Sequence, residues 1–380
     1  MKLNLSKYFT HNLLNIPGWS TRRKIIVIES DDWGSIRMAS KSSYNYFRKL
    51  GYPVDQCHYA RFDALECNED LEQLFEILAS VKDQNDHPAI ITANQIVANP
   101  DFERIKASGY QEYHYELFTD TLKHYPQHDR VFSLYNEGIE HQLLLPQFHG
   151  REHLNVRRWM SSLQHGNQAS LDTFEQQMFS VHLPYDPGNK NEFMDSFDYD
   201  HFEDVDFIEK IVKDGLKLFN QIWGFQSKSF IAGCYIWHSS LEKTLASEGV
   251  RYIQGMVIQS EPIAEPGTFN YKKRYHYQGQ KNCYGQRYLI RNAFFEPSLN
   301  SSFDWVSDCV NRIETAFSWY KPAIISSHRV NFMGFIDPSN REKNLNLLKQ
   351  LLSKIVKRWP DVEFMSSDQL GDLMSEKAER

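Results

Sequence analysis

The chain has 380 residues, 41% apolar and 24% charged, which allows a large α/β domain and excludes a disordered chain. Its net charge of −7 argues against a general nucleic-acid binder, whose affinity comes from neutralising phosphates. No stretch approaches the roughly 20 apolar residues that span a bilayer, so no integral membrane association is expected. The opening MKLNLSKYFTHNLLNIPGW lacks the continuous apolar core of a secretory signal, and Cys57, Cys67, Cys234, Cys283 and Cys309 form no CxxC pair. The expectation is a cytoplasmic protein with free thiols.

The first apolar, β-rich run is KIIVIES (24–30), followed by a helix over 69–83 with Leu71, Leu74, Phe75 and Leu78 on one stripe. Further runs are AIITANQIV (89–97), LLLPQF (143–148) and SFIAGCYIW (229–237). A helix over 239–249 then opens on serine and glutamate and stops at Gly249. VRYIQGMVI (250–258), RYLIRNAFF (287–295), AIISSHRV (323–330) and VEFMSS (362–367) follow, with amphipathic helices over 302–319 and 341–359 between the last three. Continuous apolar runs of this length suit strands of a parallel sheet, buried on both faces. The alternation predicts one α/β domain over 1–380, a deformed (β/α) barrel of seven or eight strands.

Two stretches interrupt the repeat. Residues 101–141 are helical and rich in Tyr and His, and residues 151–228 hold a helical piece and then an acidic, aromatic, loop-like run. Both are expected as long inserted loops over the C-terminal face of the strands. Residues 261–284 form a shorter loop with a basic patch, YKKRYHY.

Polar residues gather where the predicted strands stop. IESDDWGS carries Glu29, Asp31 and Asp32; QFHGREH carries His149, with His153 one turn into the next helix. IRNAFFEPS carries Arg291, Asn292 and Glu296, and ISSHRVNF carries His328 and Arg329. Each has an ordinary explanation alone. An Asp pair after a strand caps helices and turns. Two histidines four apart are also what a surface helix with incidental histidines shows, and 15 histidines make chance pairs expected. As an ordered set on the one face where such barrels do chemistry, they read as a divalent-metal site. Imidazole and carboxylate make zinc the default, with cobalt, nickel and manganese fitting the same ligands.

IESDDWGS with HGREH and ISSHRVNF resembles the polysaccharide deacetylase superfamily, carbohydrate esterase family four and its relatives. The resemblance implies a deformed (β/α) barrel, a divalent metal (usually zinc), and removal of N- or O-linked acetyl from a carbohydrate by metal-activated water. It implies Asp31 as general base, Asp32, His149 and His153 as metal ligands, and His328 as general acid. The family carries an Arg-Pro-Pro-Tyr-like motif where this chain has IAGC, so the arginine that orients the base is missing there; Arg291 and Arg329 are the candidates to replace it. FDW (303–305) corresponds to the family's Asp-Trp motif, and a capped helix start explains it as well.

Trp33, Tyr235 and Trp237 are expected as apolar walls of the site, with plain packing the alternative. A backbone N–H near Tyr235 is the expected second oxyanion donor. Two other functions stay open. One is a glycoside hydrolase drawing on Glu29, Asp31 and Glu296. The other is a non-catalytic carbohydrate-binding protein, which the missing arginine favours. Nothing in the sequence sets an oligomeric state.

Overall fold

A computed structural model of the chain describes residues 11–181, 183, 193–264 and 270–376; the first ten residues and part of the acidic loop lie outside them. Strand β1 (Lys24–Trp33) is buried along nearly its whole length. Successive side chains face opposite sides of a strand. Ile25 and Val27 accordingly join Tyr252, Leu289, Ile324, Leu370 and Met374, while Ile26 and Ile28 join the main core. Being apolar on both faces is what a parallel strand between helices requires.

Eight further strands run parallel to it: β2 (Ile91–Ile96), β3 (Leu144–Gly150), β4 (Ser229–Phe230), β5 (Tyr252–Gly255), β6 (Arg287–Ile290), β7 (Ala293–Phe294), β8 (Ala323–His328) and β9 (Val362–Met365). Their order is β6-β5-β4-β3-β2-β1-β8-β7, with β9 paired to the start of β1. The two ends of that order are consecutive in the chain. The Arg291 N–H still donates to Gly255 on β5, whereas the Asn292 N–H donates to Ile324 on β8. One run of chain therefore bridges both edges and curls the sheet into the expected deformed barrel. The last helix (Ser367–Glu376) presents Leu370 and Met374 to the apolar end of the interior.

The structure redraws several expected elements. SFIAGCYIW is a strand only at Ser229–Phe230 and then turns, with Cys234 (φ 55) and Tyr235 (φ 58) both left-handed. VRYIQGMVI splits into β5 and a strand, Ile258–Pro262, that forms an antiparallel hairpin with the basic Tyr271–Tyr275. The helix Asp204–Trp223, inside the stretch read as an insertion, sends Val205, Ile208, Val212, Leu216, Phe219 and Trp223 into the main core. It is the crossover helix between β3 and β4. Helices Phe102–Ala107, Val156–Gln164 and Gln168–Glu175 instead share a separate core around Trp159 and Phe174, which reaches Ile36 just beyond β1. All five cysteines are free thiols, and among the described residues no helix is long and apolar enough to cross a membrane.

Candidate active site

Two β-bulges aim the polar residues at the ends of β1 and β3. Between Ser30↔Ala93 and Trp33↔Gln95, β1 carries one residue more than β2. In an unbroken strand Asp31 and Asp32 would face opposite sides; the extra residue, with Asp32 left-handed at φ 77, turns both toward the strand ends. Aspartate tolerates that conformation better than most residues. On β3, Phe148 pairs with Gln95 and Gly150 with Ile96, so His149 is the bulged residue. His153 lies in the loop after β3, because the next helix starts only at Val156, capped by Asn155. His149 and His153 therefore do not share a helix face, although a spacing of four residues allows one, and His153 is not in the helix where it was expected. The chain bends through Gly150, where a Cβ would come within 3.0 Å of the Glu152 carbonyl.

Asp32 Oδ1 lies 3.3 Å from His149 Nε2 and 3.2 Å from His153 Nε2. The ligand atoms of all three lie within 4.8 Å of one another, and all three residues are buried. His149 Nδ1 is 2.9 Å from the Ile231 carbonyl, which accepts only, so Nδ1 carries a proton and Nε2 is the nitrogen that faces the centre. Burial pushes the His153 imidazole below its ordinary value, with Asp32 offsetting part of this. Burial works against an ionised Asp32 as well, but His153, His149 and Arg37 hold its carboxyl well below the usual range. One carboxylate and two converging imidazole nitrogens form a donor set that fits a divalent cation with positions left open.

Asp31 sits beside this centre. Arg291, fully buried, donates Nη1 to Asp31 Oδ2 at 2.7 Å and Nη2 to Oδ1 at 2.6 Å, while its Nε donates to Glu29 at 2.6 Å. Asn94 adds a bond to Asp31 Oδ1 at 2.7 Å, and Gln254 accepts from the same amide at 2.8 Å. Burial pushes the Asp31 carboxyl up, but Arg291, with His328 and His149, outweighs it and brings it to about 2. His328 Nε2 is 3.7 Å from Asp31, and its Nδ1 is 2.7 Å from Glu296, which Asn331 holds from the other side. Burial lowers the His328 pKa, yet Glu296, then Asp31 and Asp32, raise it to about 9.

The structure thus brings Asp31, Asp32, His149, His153, His328 and Arg291 together and moves other expected residues away. Arg329 is buried on Asp63 and Glu66 and does not reach Asp31. Trp33 is fully buried, its indole N–H on Ser30 and its ring stacked on Phe332. Trp237 is buried with its N–H on Glu242. Both are core residues rather than walls: Trp33 ends its strand on the side that faces the helices, and Trp237 lies beyond the turn that follows β4. Tyr235 accepts a bond from Arg291 at its hydroxyl, and its backbone N–H already donates to Ala232, so it is no free oxyanion donor. Asp304 caps the helix Trp305–Ser318, which accounts for FDW. The paired-carboxylate reading meets two obstacles: Glu29 is fully buried on Arg291 and Ser367, and the His328 ring stands between Asp31 and Glu296. Sequence reasoning missed Arg37, which lies 3.5 Å from Asp32 and 3.4 Å from Asp63, and Asn94. A buried asparagine inside an apolar strand needs a partner, and that was the available signal for Asn94.

No family model matches the sequence, and no curated protein does. Solved structures similar to the chain include a probable polysaccharide deacetylase from Pseudomonas aeruginosa, at 8% identity and a TM-score of 0.46, covering 92% of this chain and 91% of that one. A Puue allantoinase aligns at 8% identity and a TM-score of 0.44, covering 94% and 93%. A 4-alpha-glucanotransferase from Thermococcus litoralis aligns at 9% identity and a TM-score of 0.42, covering 91% of this chain but only 40% of its own.

Proposed function

We propose that the protein is a metal-dependent hydrolase that takes an acyl group, acetyl in the simplest case, off an amino or hydroxyl group of a carbohydrate. The observation that carries this reading is the pairing of Asp31 with His328 beside a three-residue cation site. One group is held at about 2 and the other at about 9, so between those values the first is an ionised carboxylate and the second an imidazolium. Those are the states a general base and a general acid need at neutral pH.

Asp32, His149 and His153 would hold the cation, with zinc the default. When bound, it supplies a Lewis acid that polarises the acyl oxygen and acidifies water. Asp31 takes the proton of the attacking water. His328, steadied through Nδ1 by Glu296, offers its Nε2 proton to the leaving nitrogen or oxygen. Arg291 keeps Asp31 ionised and fixes its plane, the task expected of the arginine missing from IAGC. The carbohydrate nature of the substrate rests on the motif resemblance. Release of acetate from N-acetylated glucosamine oligomers tests the proposal: a chelator should abolish it, zinc should restore it, and Asp31→Asn should cost about 10²- to 10⁴-fold. Turnover indifferent to chelation contradicts it.

A further inference from the structure

A cavity of about 340 Å³ opens beside the candidate centre. Three of its wall residues tie it to the reacting groups. Arg37 lies 3.5 Å from Asp32. The Tyr59 ring packs edge-on against His328, centroids 5.5 Å apart. Cys234 follows Gly233, where a Cβ would stand 3.3 Å from His153 Nε2. The rest of the wall is Met38, Cys57, Ala60, Met178, Val181 and Met194, with Ser180 and Asp195 as its polar members. Methionines conform to flexible apolar chains. A cavity of about 150 Å³ takes a benzene ring, so this one holds roughly a dozen heavy atoms, against three in an acetyl group. A sugar ring of that size needs hydrogen-bond partners all around its rim, whereas Arg37, Tyr59, Ser180 and Asp195 share this wall with Met38, Ala60, Met178, Val181 and Met194, and Arg37 faces Asp32 and Asp63 at 3.5 and 3.4 Å.

Across the short helix His58–Phe62 the character reverses. A cleft of about 470 Å³ is lined by groups such as Asp55, His58, Arg61, Asn300 and Lys343. It begins at Pro297, the residue after the Glu296 that holds His328.

We propose that the acyl group removed is a chain longer than acetyl, about four to eight carbons by the room available, seated among Met38, Met178, Val181 and Met194. The amine-bearing polar part of the substrate lies on the His328 side. The inference rests on the hydrolase reading above. For an amide the C–N bond breaks, the water oxygen bonds to the acyl carbon, and both water protons end on the departing nitrogen. The products are a carboxylate and an ammonium, with no other reactant.

The test uses N-acylglucosamines with two-, four-, six- and eight-carbon acyl groups. Their binding to zinc-loaded Asp31→Asn protein is measured by calorimetry, and kcat/KM is measured on the unmodified protein. Each added pair of methylenes should raise affinity about tenfold up to six carbons. Met178→Trp, or Val181→Phe on the same wall should the first fail to fold, should abolish that rise. Affinity that is flat or falls with chain length overturns the proposal, as does an unaltered chain-length dependence in the filled variants. Tighter binding of long probes without hydrolysis of any would uphold the cavity and sink the hydrolase reading. Hydrolysis of the acetyl probe with flat binding would do the reverse.

Discussion

Asp31 and His328 stand 3.7 Å apart, and their surroundings drive them in opposite directions. The prediction at this scale is a pH profile. kcat/KM should fall as pH rises through about 9, where His328 loses its proton. Glu296→Gln removes the largest upward influence on His328 and should move that alkaline limb to lower pH. The sign for stability is the same. A raised imidazole pKa contributes fully below its ordinary value and is lost as pH climbs through about 9, so thermal melts should weaken over that window and less so in Glu296→Gln. Arg291 carries a second prediction. It is fully buried and binds Glu29 and Asp31 at once. Arg291→Met leaves two buried carboxylates without their cation and should cost about 3–5 kcal/mol in urea unfolding. Arg291→Lys should recover only part of this, because a point charge cannot serve both carboxylates in a fork.

The strand ends, not the strands, set the site. Gly34, just after the β1 bulge, has φ +79, and a Cβ there would sit 2.4 Å from the Ile96 carbonyl oxygen. Backbone cannot yield as a side chain does, so Gly34→Ala should destabilise by about 2 kcal/mol or more, read from denaturant melts. The apolar runs and the charged residues closing them were legible because buried parallel strands leave little room for anything else. The bulges were not, because register belongs to two strands and the sequence shows one at a time. Nor was the choice of Arg291 over Arg329: both follow apolar strands, and only the handover of Arg291 from β5 to β8 turns its side chain toward Asp31. The helix Asp204–Trp223 keeps its apolar spacing, but its acid-rich start reads as an extension of the loop before it. Trp33 and Trp237 show the same limit, since an aromatic at a strand end suits a wall and a core equally.

Over the whole molecule the barrel interior divides into two zones. Ile25, Val27, Tyr252, Leu289 and Ile324 fill one end with Leu370 and Met374 of the last helix, while Glu29, Arg291, Asn94 and Gln254 bring buried polar groups up to the site. Donors from β1 and from β3 with the loop after it converge there, so a bound cation should tie those two stretches together. Zinc at about a thousand times its Kd should stabilise the fold by about 4 kcal/mol, seen as a rise in Tm that a chelator reverses. The most direct measurement is metal content by elemental analysis after zinc loading and dialysis. One metal per chain in the unmodified protein and in His328→Ala, with most of it lost in His149→Ala, is the predicted result. No retained metal, or equal content in His149→Ala, would contradict a cation held by Asp32, His149 and His153.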